Sequence, residues 1–232
     1  MDISTSPSSM PSQVTRRGFI GTGTAGFVGL TMAPGRASAM TMPTPLAFGI
    51  WREGSRIGSH RVDFETSGTR LISRVEVDIV VKVAFVTAFR FRQRAVDHWQ
   101  DGVLIRSEVD TDDDGDRTRL LVESAGDGLV VDGPAGERRV PFGLMTDACF
   151  WNPAILRLPQ LIDAGTGELD DIRTMSLGRE RLVVLGREID VDHFRVTASE
   201  GTDGDIWYDR GGRWVQASIR TRGEELDYRP LA

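Results

Sequence analysis

The sequence predicts an all-β fold: an antiparallel β-barrel, or a strongly curved half-barrel meander, with one short helical insertion. Three observations lead there. Apolar and polar residues alternate with period two through most of the chain after residue 45. Turn chemistry such as Gly54-Ser55, Ser67-Gly68, Asp101-Gly102 and Gly126-Asp127-Gly128 separates the alternating runs. A single stretch, about 141–165, breaks the alternation. Many strands in series leave exposed edges unless the sheet closes or curls, which favours the barrel. A two-sheet β-sandwich is the alternative that the same alternation permits.

The elements follow in order. Leu46 to Glu53 and Arg56 to Glu65 flank Gly54-Ser55, where glycine accepts the positive φ of a tight hairpin turn. Leu71 to Val83 sets Leu71, Val75, Val77, Ile79 and Val81 on one face and Arg74, Glu76, Asp78 and Lys82 on the other. The same register runs on through Phe85, Phe89, Phe91 and Trp99, so an overlong strand with a bend or bulge near Ala84 or Ala95 is expected. Val103 to Thr111, Arg117 to Ser124 and Leu129 to Asp132 complete a meander. After the insertion, strands resume at Ile172 to Ser176, Arg181 to Arg187, Ile189 to Ser199, Asp205 to Asp209, Trp214 to Thr221 and Glu225 to Tyr228.

At 232 residues, with 40% hydrophobic and 27% charged positions, the chain suits one sizeable core. A net charge of -6 offers no phosphate-binding excess and argues against a nucleic-acid partner. The lone cysteine, Cys149, forms no internal disulfide and supplies neither a Cys-rich zinc site nor an iron-sulfur site. Three histidines supply metal chemistry thinly, and no cofactor is expected.

The amino end reads as a twin-arginine export signal. Arg16 and Arg17 are followed by Gly18-Phe19-Ile20, then by a glycine-rich, weakly apolar run to Met32, then by Ala37-Ser38-Ala39. The run is too short and too rich in Gly and Thr to span a membrane. Cleavage after Ala39 removes three arginines and one aspartate, which takes the net charge from -6 to -8. The expectation is a signal at 1–39 and one antiparallel β domain at 40–232, exported to the periplasm or secreted, with the export machinery as partner and no transmembrane segment in the mature chain.

Candidate sites are sparse. Asp110, Asp112, Asp114 and Gly115 fit the start of a calcium loop, but the twelfth position is Leu121 and the flanks are strands, which leaves a solvated turn. His60 shares a strand face with Val62 and Phe64; its bland reading is a buried histidine, its functional one a ligand or proton-transfer group. Asp97 shares parity with Phe91 and Trp99 and turns toward the apolar side. His98 points the other way, and His193 is ambiguous. The tryptophans 51, 99, 151, 207 and 214 are core candidates, or pocket lining where left uncovered. Cys149, beside Phe150 and Trp151, reads as a small buried hydrophobe. No catalytic signature motif occurs.

Several short motifs together resemble a family of uncharacterised exported bacterial proteins, the domain-of-unknown-function family numbered 6134. They are Gly54 with Ile57-Gly58-Ser59-His60, Asp97-His98-Trp99 with Gly102 and Leu104, Trp151-Asn152, Thr166-Gly167-Glu168-Leu169, and Trp207-Tyr208-Asp209. The resemblance implies an all-β secreted domain and supplies no activity; where the family commonly has a glutamate this chain has Asp97, so charge is kept and reach shortened. It extends more loosely to curved β-sheet lipid and lipoprotein carriers of the bacterial envelope.

These readings lead to a non-catalytic binding or carrier barrel for a lipid or other small apolar or amphipathic ligand. His60, Asp97, Trp99, Trp151, Asn152 and Tyr208 are the expected ligand-binding residues. The alternatives are a hydrolase- or isomerase-like enzyme using His60 and Asp97 as an acid-base pair, and a structural envelope protein with a filled interior.

Overall fold

The alternation becomes fourteen strands in the computed structural model, which describes residues 43–231 apart from 84, 199 and 200. They are β1 (Leu46–Arg52), β2 (Ser55–Ser67), β3 (Arg70–Val83), β4 (Val86–Gln100), β5 (Val103–Asp113), β6 (Asp116–Ala125), β7 (Gly128–Asp132), β8 (Arg138–Pro141), β9 (Gln160–Ile162), β10 (Leu169–Val184), β11 (Arg187–Ala198), β12 (Asp203–Asp209), β13 (Trp214–Thr221) and β14 (Glu224–Pro230). The export signal and its cleavage site lie outside the described residues. Among the described residues no helix is long and apolar enough to cross a membrane.

All strands belong to one antiparallel sheet, ordered β8-β7-β6-β5-β4-β3-β2-β1-β14-β13-β12-β11-β10-β9. The first described strand, β1, therefore lies in mid-sheet. The chain meanders out to one edge at β8, crosses to the other edge at β9, and meanders back until β14 pairs with β1, Phe48 opposite Pro230 and Trp51 opposite Asp227. The sheet is an unclosed, strongly curved barrel rather than two stacked sheets. Its curl is shown by one ion pair: Arg222, in the β13–β14 turn, grips Asp113 at the end of β5 through two bonds. On a flat sheet, β5 and β14 would stand five strand spacings apart, about 24 Å.

The two edges meet loosely at a seam. Ala135 N–H donates to the Thr166 carbonyl at 2.9 Å. A Cβ added to Gly133 would lie 2.9 Å from that carbonyl oxygen, and one on Gly167 would lie 2.9 Å from the Leu120 side chain. Only glycine lets the two loops approach this closely.

The segment between β8 and β9 holds two short 3-10 turns, Asp147–Cys149 and Pro153–Arg157, and sends Leu144, Met145, Cys149, Trp151 and Ile155 into the core. The concave side is filled by this insertion together with the inward faces of the strands.

Several expectations are corrected. The overlong strand is two, β3 and β4, paired antiparallel with Val83 opposite Val86; Ala84 lies outside the described residues, and the register shifts sit at Val81/Lys82 and His98/Trp99. Ile172 to Ser176 and Arg181 to Arg187 are not separate strands: β10 runs unbroken to Val184, and the turn is at Leu185-Gly186. β8 has no counterpart among the expected strands, and the stretch read as loop and helical turns also contains β9. Trp51 and Trp207 are not core: Trp207 alternates with inward Ile206 and Tyr208, and Trp51 lies under the Arg229 guanidinium 5.2 Å away.

Candidate functional site

Alternation along β4 turns Ala95, Asp97 and Trp99 inward, and all three are buried. The antiparallel register sets Asp97 between Ser73 of β3 and Ser107 of β5. The row Ser-Asp-Ser is thus a product of pairing alone. Ser107 Oγ–H donates to the carboxylate at 2.7 Å, Ser73 Oγ–H at 3.1 Å, and the Cys149 thiol of the insertion approaches at 3.6 Å. Ser73 Oγ in turn accepts from Trp99 Nε1–H at 3.1 Å. Burial pushes the Asp97 carboxyl above its ordinary range, against the hydrogen bonds from Ser107, Ser73 and Cys149 that favour its charged form. Burial, and then the neighbouring Asp97 charge, push the Cys149 thiol well up, so it is no nucleophile.

The insertion is fastened to the wall at two more places, through Trp151 and through Tyr208, and is braced within itself by Asn152. Trp151 sets its ring edge-on to Phe64 and Trp99, with centroids 4.9 and 5.5 Å away. Tyr208 O–H donates to the Phe150 carbonyl at 2.5 Å. Asn152 Oδ1 accepts from Ala154 N–H at 3.1 Å and so caps the second 3-10 turn. Asp97, Trp99, Trp151, Asn152 and Tyr208 accordingly gather around the insertion.

His60 does not join them. Its ring lies among Trp214, Tyr228 and Phe48, at centroid distances of 5.0, 5.8 and 6.3 Å. Its Nε2 is buried without a hydrogen-bond partner, and burial lowers its pKa to about 4, which leaves the ring neutral at pH 7. The row through Asp97 reaches β2 at Phe64, four residues and about 13 Å of strand from His60. The acid-base pair of the enzyme alternative is therefore not assembled. Level with His60 lie Gln93 and Thr111, the Gln93 amide donating to Thr111 Oγ1 at 3.3 Å.

Beyond that level, at the end carrying the β1–β2, β3–β4, β5–β6 and β13–β14 turns, Ile57, Val81, Phe91, Ile219 and Leu226 are only partly buried against the core. They form an apolar rim, with the Arg222–Asp113 pair lying across it. Parity in the sequence turns Val81 and Phe91 inward but does not reveal the rim, because the rim depends on which strand ends the curl brings together. Shallow depressions lie elsewhere, one lined by Arg181, Glu188, Ile189 and Asp190 and one between Asp127 and Pro141.

On the convex face His193 stacks on Trp207 at 4.4 Å, between Glu180 at 3.0 Å and Asp205 at 3.1 Å. Arg195 clamps Asp205 through two bonds. The acidic turn is held by its own chain, since Asp112 Oδ1 accepts from Gly115 N–H at 2.9 Å. Among the described residues no group of three or more His, Cys, Asp or Glu side chains could hold a metal ion.

The model of a family described as a domain of unknown function, DUF6134, matches residues 48–231. No curated protein matches the chain. Among solved structures, the chain is similar to a β-barrel-like protein of the domain of unknown function DUF1849 from Brucella abortus. The TM-score is 0.60 at 8% identity, over 84% of this chain and 98% of that one. This likeness is one of fold.

Proposed function

Starting from a chain that belongs to DUF6134, a domain of unknown function, we propose that it is an exported, non-catalytic binding or carrier protein for a small apolar or amphipathic ligand. The observation that carries the reading is the partly uncovered rim of Ile57, Val81, Phe91, Ile219 and Leu226 above buried His60, whose Nε2 lacks a partner. An apolar wall over a few polar groups suits a molecule with an apolar body and one polar end. In this conformation the interior is packed, so the ligand enters by parting the rim. The Arg222–Asp113 pair ties β5 to the β13–β14 turn across that mouth, and an exposed ion pair costs about 1 kcal/mol or less to open. The twin-arginine segment supports export, and the acidic domain is delivered already folded.

The test is saturable binding of a fluorescent long-chain fatty acid, together with native mass spectrometry of protein recovered from the periplasm. Phe91→Arg should weaken binding at least tenfold, and Arg222→Ala should speed uptake. Protein that carries nothing and does not saturate with the probe overturns the reading.

A further inference from the structure

The β3–β4 hairpin outgrows the sheet. β2 pairs with β3 only as far as Ile79, and β5 pairs with β4 only from Phe91, with Asp114 N–H reaching one residue further to the Arg90 carbonyl, so residues 80–83 and 85–89 project as a two-stranded arm. Its tip carries Phe85, fully exposed, and Val86, 71% exposed. Large apolar side chains held that far out are costly in water unless something receives them.

The arm's own charge is one-sided, although the acidic β5–β6 turn meets its base at Arg90. From 79 to 94 the sequence holds Lys82, Arg90, Arg92 and Arg94 and no acidic residue, in a chain whose net charge is -6. Arg92 is paired with Asp78 and Arg94 with Glu76, at the base of the arm. Lys82 and Arg90 flank the apolar tip and make no side-chain ion pair among the described residues, while the Arg90 backbone amide donates to the Asp114 carboxylate at 3.2 Å where the β5–β6 turn meets the base of the arm. Lys82 is also the chain's one lysine. The arm stands at the same end as the apolar rim.

We propose that this arm docks the protein on an anionic lipid surface, with Phe85 and Val86 entering the interface and Lys82 and Arg90 meeting the headgroups. An apolar tip ringed by cations matches such a surface in both respects, since the interface takes up apolar area while anionic headgroups attract lysine and arginine. The acidic remainder of the protein is repelled from the same surface, so docking is confined to the arm. This docking goes beyond the carrier reading and does not need it: a protein that carries no ligand could still dock, and the experiment that tests it contains no carried ligand.

The experiment labels Val86→Cys in the full chain with an environment-sensitive fluorophore, Cys149 being buried and unreactive. Vesicles of phosphatidylglycerol and phosphatidylethanolamine should shift the emission to the blue, and phosphatidylcholine vesicles should not. In that background Phe85→Ser, or Lys82→Glu with Arg90→Glu, should each weaken binding about tenfold, and raised salt should weaken it as well. A label at Val183→Cys, on the β10–β11 hairpin at the other end, should stay unshifted. No shift at 86 with anionic vesicles, an equal shift at 183, or a shift that grows with protein concentration without vesicles overturns the proposal, the last by assigning the tip to a second copy of the chain.

Discussion

Asp97 and His60 are buried titratable side chains that face the interior, and their environments set opposite pH dependences. The unfolded chain takes up a proton at His60 near 6.5, which the folded chain refuses until about 4. Lowering pH through that window therefore favours unfolding, by up to about 3 kcal/mol at its lower end. Denaturant titrations from pH 7 to 4 should show this slope, and His60→Phe should lose it. Asp97 acts the other way, because its carboxyl is raised by burial: the stability it lends is present at low pH and fades as pH rises through its folded value. Asp97→Asn should flatten that dependence, whereas Asp97→Ala should cost about 3 kcal/mol by leaving the Ser73 and Ser107 hydroxyls without their acceptor. Parity makes the inward turn of both residues legible in the sequence. Their separation is not legible, because it depends on pairing: Asp97 meets Phe64 through Ser73, and nothing in residue order says that His60 falls in another row.

Among the elements, the insertion is the one whose sequence least resembles its role. Its loss of alternation is readable, and its aromatic content indicates packing, but only the sheet order explains why it must cross the interior: β8 and β9 are neighbours in sequence and opposite edges in space. Trp151→Ala should cost about 3 to 5 kcal/mol, because Phe64 and Trp99 lose the ring they pack on and a void takes its place. Tyr208→Phe should cost about 1 kcal/mol, through the hydrogen bond to Phe150. Urea unfolding followed by tryptophan fluorescence measures both. The hairpins show the limits of turn chemistry. Asp101-Gly102 is legible because both residues take positive φ. The reversal after Val83 offers neither glycine nor proline, and the alternation runs through it uninterrupted. β10 looks like two strands because residues 175–181 are exposed on both faces and a bulge falls between Ser176 and Gly178, so no buried stripe marks its continuity.

At the scale of the molecule, loops tether the two edges of the open barrel, and the β1–β14 ladder joins its two meanders in mid-sheet. The seam relies on the approach of Gly133 to Thr166, so Gly133→Val should part it. Hydrogen exchange at the Ala135 amide, which donates to Thr166, should then accelerate at least tenfold while the β1–β14 amides keep their protection. Curl is predictable from the number of strands and the need to hide edges. The place of the seam is not, because every hairpin looks locally alike and only the β1–β14 pairing says that β1 lies in mid-sheet.

That pairing also dictates a timetable. A ribosome releases β1 first and β14 last, so the edge of β1 that will receive β14 stays bare while some 180 intervening residues are made. Closure between partners so distant in sequence is slow, and no nascent chain lacking β14 can complete it. A chain shortened by stop codons before Glu224 should therefore accumulate as aggregates bearing an open β1 edge.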